Sequence, residues 1–187
     1  MATLFVDKVD PQSGTSLEIG SSGDTITIPS GATITNNGTQ TGFGGTNTPT
    51  FSAYMSGDFS ASNNSWTKLQ INSEYYDTDS AFDTSNYRFV VPSGKAGKYF
   101  FAAKTACPGV DDGEDFAINL HKNGSRVEQT DVGVHSPNTN KLLFAEVSYA
   151  FDLSVGDYIE VYIYQTSGEA QNIDASFTNF LGYKLIT

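Results

Sequence analysis

Apolar and polar residues alternate in steps of two along most of this chain, and no long stretch repeats them with a helical period near 3.6. The clearest run is DYIEVYIYQ, residues 157–165. Ile159, Val161 and Ile163 fall on one side of an extended strand, and Tyr158, Glu160, Tyr162 and Tyr164 on the other. Other segments read the same way. In SWTKLQI, Trp66, Lys68 and Gln70 oppose Thr67, Leu69 and Ile71. DFAINLHKNGSRVEQ predicts a hairpin: Phe116, Ile118 and Leu120 alternate up to an Asn123-Gly124 turn, after which a return strand begins. PTFSAYMSG, YRFVVP, KYFFAAKTA, NKLLFAEVSYAFDL and SFTNFLGYKLI complete a succession of about eight or nine short strands, the spacing of an antiparallel sandwich or jelly roll.

The front of the chain is different. GDTITIPSGATITNNGTQTGFGG, residues 23–45, alternates in TITI and ATIT, yet its only large apolar residues are Ile26, Ile28, Ile34 and Phe43. Such a segment cannot build a core alone. Aromatics become frequent only from Phe51 onward, and GGTNTPT marks the change. The expected organisation is an N-terminal segment, residues 1–48, that is β-rich or extended, followed by a head, residues 49–187.

Composition supports the β reading, with 18 Gly, 13 Phe and 10 Tyr. A formal charge of −11, with only ten Lys and Arg, argues against a nucleic-acid partner. One cysteine, Cys107, excludes an internal disulfide and suits assembly in a reducing cytoplasm. The beginning MATLFVDKVDPQ lacks the cationic-then-apolar pattern of a secretory signal, and no apolar run approaches the roughly 20 residues of a bilayer span. Membrane insertion is therefore not expected.

Little catalytic chemistry is visible. His121 and His135 have no neighbouring nucleophile motif, and each reads as a surface histidine, His135 in a polar loop. Cys107 lies among Asp111, Asp112, Glu114 and Asp115, an anionic setting that disfavours a thiolate. The acidic loop offers Asp111, Asp112 and Asp115 as hard-oxygen ligands for Ca²⁺, the one cofactor to consider; the alternative is a solvated loop. Asp77, Asp79 and Asp83 are expected to cap turns. The chain is read as a non-enzyme.

The stripe Tyr158, Tyr162, Tyr164 poses a physical problem, because a monomer rarely shows water a contiguous aromatic row. Tyrosine suits a protein–protein interface. The alternative is a covering loop. The order of motifs bears on this choice. NSEYYDTDSAFDTSNYRF (residues 72–89), GKYFF (97–101), LHKNG (120–124), LSVGDYIEV (153–161) and FLGYKL (180–185) together resemble the globular heads of the complement-q and tumour necrosis factor superfamily over residues 49–187. That resemblance implies a jelly roll of about ten strands that forms a tight homotrimer around an aromatic-rich inner sheet. The trimer surface is then assigned to Tyr158, Tyr162, Tyr164, Phe180 and Tyr183. Some heads of this type hold calcium near the trimer axis.

No collagen-like stalk or cysteine pair is present, which argues against an animal secreted ligand. Heads of this type also occur on bacteriophage virions, and the opening LFVDKVDPQSGTSLEIGSSGDTITIPSGAT resembles leaders of phage tail and appendage proteins. In a trimer, three copies of the front segment can pair their backbone edges, with Ile26, Ile28 and Ile34 toward the axis and Pro29-Ser30-Gly31 as a turn between two short strands. The alternative is a flexible linker. Leu4, Phe5, Val6 and Val9 are the expected attachment residues toward other virion proteins. The functional expectation is a trimeric virion projection assembled in the bacterial cytoplasm. Its first form is a tail fibre or tip touching a host receptor or glycan, and its second a capsid decoration protein. The rival from another class is a carbohydrate-binding module acting on host glycans.

Overall fold

Phenylalanines that the alternation turns inward on separate strands meet at one point. Phe51 has the rings of Phe82 and Phe180 at 5.0 Å and that of Phe89 at 5.3 Å, with Phe101 close by. The computed structural model describes residues 9–38 and 47–185. Its contacts divide the chain into two units, residues 1–43 and 44–187.

The second unit is all-β. Its strands are β1 (Thr50–Tyr54), β2 (Phe59–Ala61), β3 (Thr67–Lys68), β4 (Ser73–Asp77), β5 (Phe82–Asp83), β6 (Arg88–Val90), β7 (Gly97–Val110), β8 (Asp115–Lys122), β9 (Ser125–Arg126), β10 (Val132–His135), β11 (Lys141–Leu153), β12 (Tyr158–Gln165), β13 (Gln171–Ile173) and β14 (Asn179–Lys184). One sheet has the order β11-β7-β14-β1-β4. The other runs β10-β8-β12-β6-β5, with β3 added on β12 and β9 on β8, and β13 pairs β2 separately. All these pairings are antiparallel. Two five-stranded paths with sequence-distant neighbours make the jelly-roll sandwich.

The side-chain period of two builds the core between the sheets. Ile159, Val161 and Ile163 are buried from one sheet, and Tyr99, Phe101 and Ala103 from the other. Packing there is tight enough to dictate a glycine. A Cβ on Gly182 would lie 2.4 Å from Phe101 Cδ1 and 2.8 Å from Phe51 Cε1. The β8–β9 turn needs its residues too, since Asn123 and Gly124 sit at φ 53° and 77°, the left-handed pair of a two-residue hairpin.

Some expectations change. Of SWTKLQI only Thr67–Lys68 pairs as strand, and Trp66 precedes it, although Leu69 and Ile71 are buried as the alternation requires. His135 ends β10, not a loop, and β10 pairs β8.

The first unit, over residues 9–38, contains no strand. Local turns shape it: the Asp24 amide donates to the Ser21 carbonyl at 3.0 Å, and the Ala32 amide to the Pro29 carbonyl at 3.1 Å. The second is the expected Pro29-Ser30-Gly31 turn, with Gly31 at φ 85°. Ile26, Ile28 and Ile34 stay 59%, 47% and 59% exposed, and residues 9–38 provide neither a ladder nor a core for them.

Candidate functional site

The five residues assigned to one trimer surface occupy three different places. Phe180 is fully buried in the core, stacked among Phe51, Phe82 and Phe101, and cannot reach a partner. Strand periodicity explains this: Phe180 and Tyr183 are three residues apart on β14, so they point to opposite faces. Tyr183 lies on the solvent face of the five-stranded sheet. Tyr158, Tyr162 and Tyr164 lie on the solvent face of the other sheet.

That second face is covered by its own chain. The Arg88 guanidinium sits 4.5 Å from the Tyr158 ring centre. Tyr162 stacks on His121 at 3.7 Å and 13°. Tyr164 meets Trp66 at 5.5 Å and donates its hydroxyl hydrogen bond to the Asn64 side-chain oxygen. Arg126 lies 4.5 Å over Trp66 and is paired with Asp131. Lys68, on β3, pairs with Glu160 at 2.5 Å. The tyrosines are thus half-buried by Arg88 of β6, His121 of β8 and Trp66 just before β3.

His121 is accordingly no surface histidine. It is 7% exposed, and its ring nitrogens have no side-chain hydrogen-bond partner, the Gly124 backbone being the polar group that acts on them. Burial lowers its pKa from 6.5; the nearby Gly124 backbone, Glu160 and Asp131 oppose that effect, and Arg126 adds to it.

The other face is built differently. Register sets two uncharged rows side by side on the solvent side of the five-stranded sheet. One is Ala150, Phe100, Tyr183 and Thr50; the next is Ser148, Ala102, Leu181, Ser52 and Tyr76. The register pairs Lys98/Asp152 and Lys104/Glu146 bound them at either end. Phe100 and Tyr183 touch at 5.5 Å. Beyond them Tyr54 stacks on Tyr75 at 4.5 Å, and Tyr75 is 72% exposed. Phe100 and Tyr54 are aromatic members of this face that the stripe on β12 does not point to.

The acidic loop does not gather ligands. Asp111 accepts from the Asn140 amide at 2.6 Å, and its own amide donates to Glu114 Oε2 at 2.6 Å. Asp115 faces His135 Nδ1 at 2.8 Å. Among the described residues of one chain no three such side chains, Asp111, Asp112 and Asp115 included, converge on one point. In the other acidic stretch, Asp77 accepts from the Phe82 amide and Asp83 from those of Ser85 and Asn86, which makes both of them turn caps. Cys107 lies inside β7, buried; burial first and Glu114 second push its pKa up to about 12, so the thiol stays protonated.

Of the expected attachment residues, Leu4, Phe5 and Val6 lie outside the described residues, and Val9 is 54% exposed. No described helix is long and apolar enough to cross a membrane.

No protein-family model matches the chain, and no curated protein does so either. Solved structures do. The globular domain of zebrafish complement 1qA protein superposes with a TM-score of 0.51 at 18% identity, covering 73% of this chain and 97% of that one. Two crystal structures of murine APRIL give TM-scores of 0.54 and 0.53, each at 13% identity and covering 73% of this chain and 98% of that one. At these identities the likeness is one of fold: the head of this chain is a jelly roll of the complement-q and tumour necrosis factor type.

Proposed function

We propose that this chain is a non-enzymatic bacteriophage structural protein that assembles as a homotrimer, the jelly-roll head projecting and the N-terminal segment serving as stalk and attachment. The observation that carries the reading is the solvent face of the five-stranded sheet. Its two central rows are uncharged, and they present Phe100, Leu181 and Tyr183, each of them part-exposed. An aromatic face of this kind is what a subunit contact needs: apolar area at the centre, charge at the rim.

The front segment supports the same picture. Ile26, Ile28 and Ile34 have nothing to pack on within residues 9–38, and further copies of the same strand would give both ladder and core. The leader-like opening supports a virion, and within it a tail fibre or tip.

Light scattering at micromolar concentration tests the assembly: the expected mass is three times the 20.1 kDa chain, and a clean monomer overturns the trimer. Antibody labelling of intact particles tests the location. Label on the tail is expected; label on the capsid shell replaces the fibre by a decoration protein, and an unlabelled particle removes the virion role.

A further inference from the structure

The covered face of the second sheet contains a cleft. Register places Gly133 of β10, Ala117 of β8 and Tyr164 of β12 in one row across three neighbouring strands. Gly133 and Ala117 form a floor nearly without side chains, and a Cβ built on Gly133 meets nothing within 4 Å. Trp66 and Tyr164 form an aromatic wall. Arg126 stands toward the β9 end, and Asp115 toward the far end of β8. The volume is about 410 Å³, within the range of small-ligand sites.

We propose that this cleft binds a neutral saccharide, with a sugar C–H face against Tyr164 beside Trp66, whose ring Arg126 already overlies, and hydroxyl groups hydrogen-bonded by Arg126 and Asp115. Aromatic rings beside planar, fixed donors and acceptors match a ring that is apolar on its faces and polar around its rim. The charges choose the class. Arg126 is already neutralised by Asp131, with its Nε 3.0 Å from Oδ1, and Asp115, whose Oδ1 lies 2.8 Å from His135 Nδ1, offers an acceptor and no cation for an acidic sugar. A chain of net charge −11 adds to that repulsion. The cleft lies within one chain, so the proposal does not rest on the trimer.

Trp66 is the sole tryptophan, which makes its fluorescence a reporter placed in the wall of the cleft. The full-length protein is titrated with lactose, cellobiose, maltose and chitobiose, and with sialyllactose and galacturonate as acidic probes. A saturable fluorescence change is expected with at least one neutral disaccharide. Tyr164→Ala should weaken it by at least about tenfold, and Gly133→Val, whose extended backbone accepts a β-branched residue, should abolish it by filling the floor. The proposal is overturned if no neutral sugar responds, if only the acidic probes do, or if Gly133→Val with a wild-type circular dichroism spectrum binds as before. If Gly133→Val does not fold, Tyr164→Ala decides in the same way: unchanged affinity overturns the proposal.

Discussion

Both broad faces of the sandwich carry aromatic side chains, and they differ in what lies on top. Over β12, Tyr158, Tyr162 and Tyr164 are met by Arg88, His121 and Trp66 of the same chain. Over β7 and β14, Phe100 and Tyr183 meet each other, and their register neighbours among the described residues are uncharged, Ala150 and Thr50 in their own row and Ala102 and Leu181 in the next. Exposed aromatic area thus has two solutions. A chain can cover it with long cationic side chains whose stems and planar heads tolerate both ring and water, or leave it for another subunit. The first makes a face that is finished within the monomer. The second makes a face suited to the subunit contact proposed above.

Placing a charge on each face in turn gives the largest separation between them. Phe100→Asp puts an unpaired carboxylate into the proposed contact and should cost about 3–5 kcal/mol of association, enough to turn a micromolar trimer into monomers in light scattering. Tyr162→Asp on the other face should leave the mass unchanged and remove only a stacked pair, lowering monomer stability by about 0.5–1.5 kcal/mol in a denaturant titration. If Tyr162→Asp dissociates the trimer and Phe100→Asp does not, the two faces have been assigned the wrong way round.

A smaller effect separates assembly from folding. Gly182 is the inward neighbour of Tyr183, and an added methyl group collides with Phe101 and Phe51. Gly182→Ala should cost about 1–3 kcal/mol of stability by overpacking. Its thermal transition should fall, while the trimer that does fold keeps the wild-type mass. Loss of mass at full stability would mean that the packing beneath the face governs its contact, and not the residues on it.

These differences show what the sequence can and cannot disclose. Alternation in DYIEVYIYQ states which residues share a face, and burial of Ile159, Val161 and Ile163 follows from it. The same rule, applied to NFLGYKL, keeps Phe180 and Tyr183 apart, so that misplacement was avoidable from the sequence itself. What covers a face is another matter. Lys68 reaches Glu160, and Trp66 reaches Tyr164, across nearly half the chain, and no local pattern records those meetings. β10 (VGVH) and β13 (QNI) are only four and three residues long, too short for any alternation to announce them. His121 looks like any hairpin histidine until β12 places Tyr162 beneath it. The front segment fails for a different reason: the isoleucine pattern is plain, but the surface it packs on is absent from residues 9–38.

The smallest predicted effect belongs wholly to the covered face. His121 lies between Tyr162 and Trp66, with Glu160, Asp131, Arg126 and the Lys68 ammonium as the charged groups around it. Its folded-state pKa is lowered from 6.5, chiefly by burial, so the unfolded chain takes up a proton before the folded chain does. The stability linked to the neutral ring is complete above pH 6.5 and declines as the pH falls through that value toward the folded-state pKa. His121→Phe keeps an aromatic ring against Tyr162 and deletes two buried nitrogens that have no side-chain hydrogen-bond partner. The variant should therefore be at least as stable as wild type at about pH 8, and its thermal transition should fall less between about pH 7 and about pH 5. The trimer mass should be the same in both proteins throughout that range. A wild-type slope retained in His121→Phe would place the titration on other groups and leave the covered face without a pH-sensitive member.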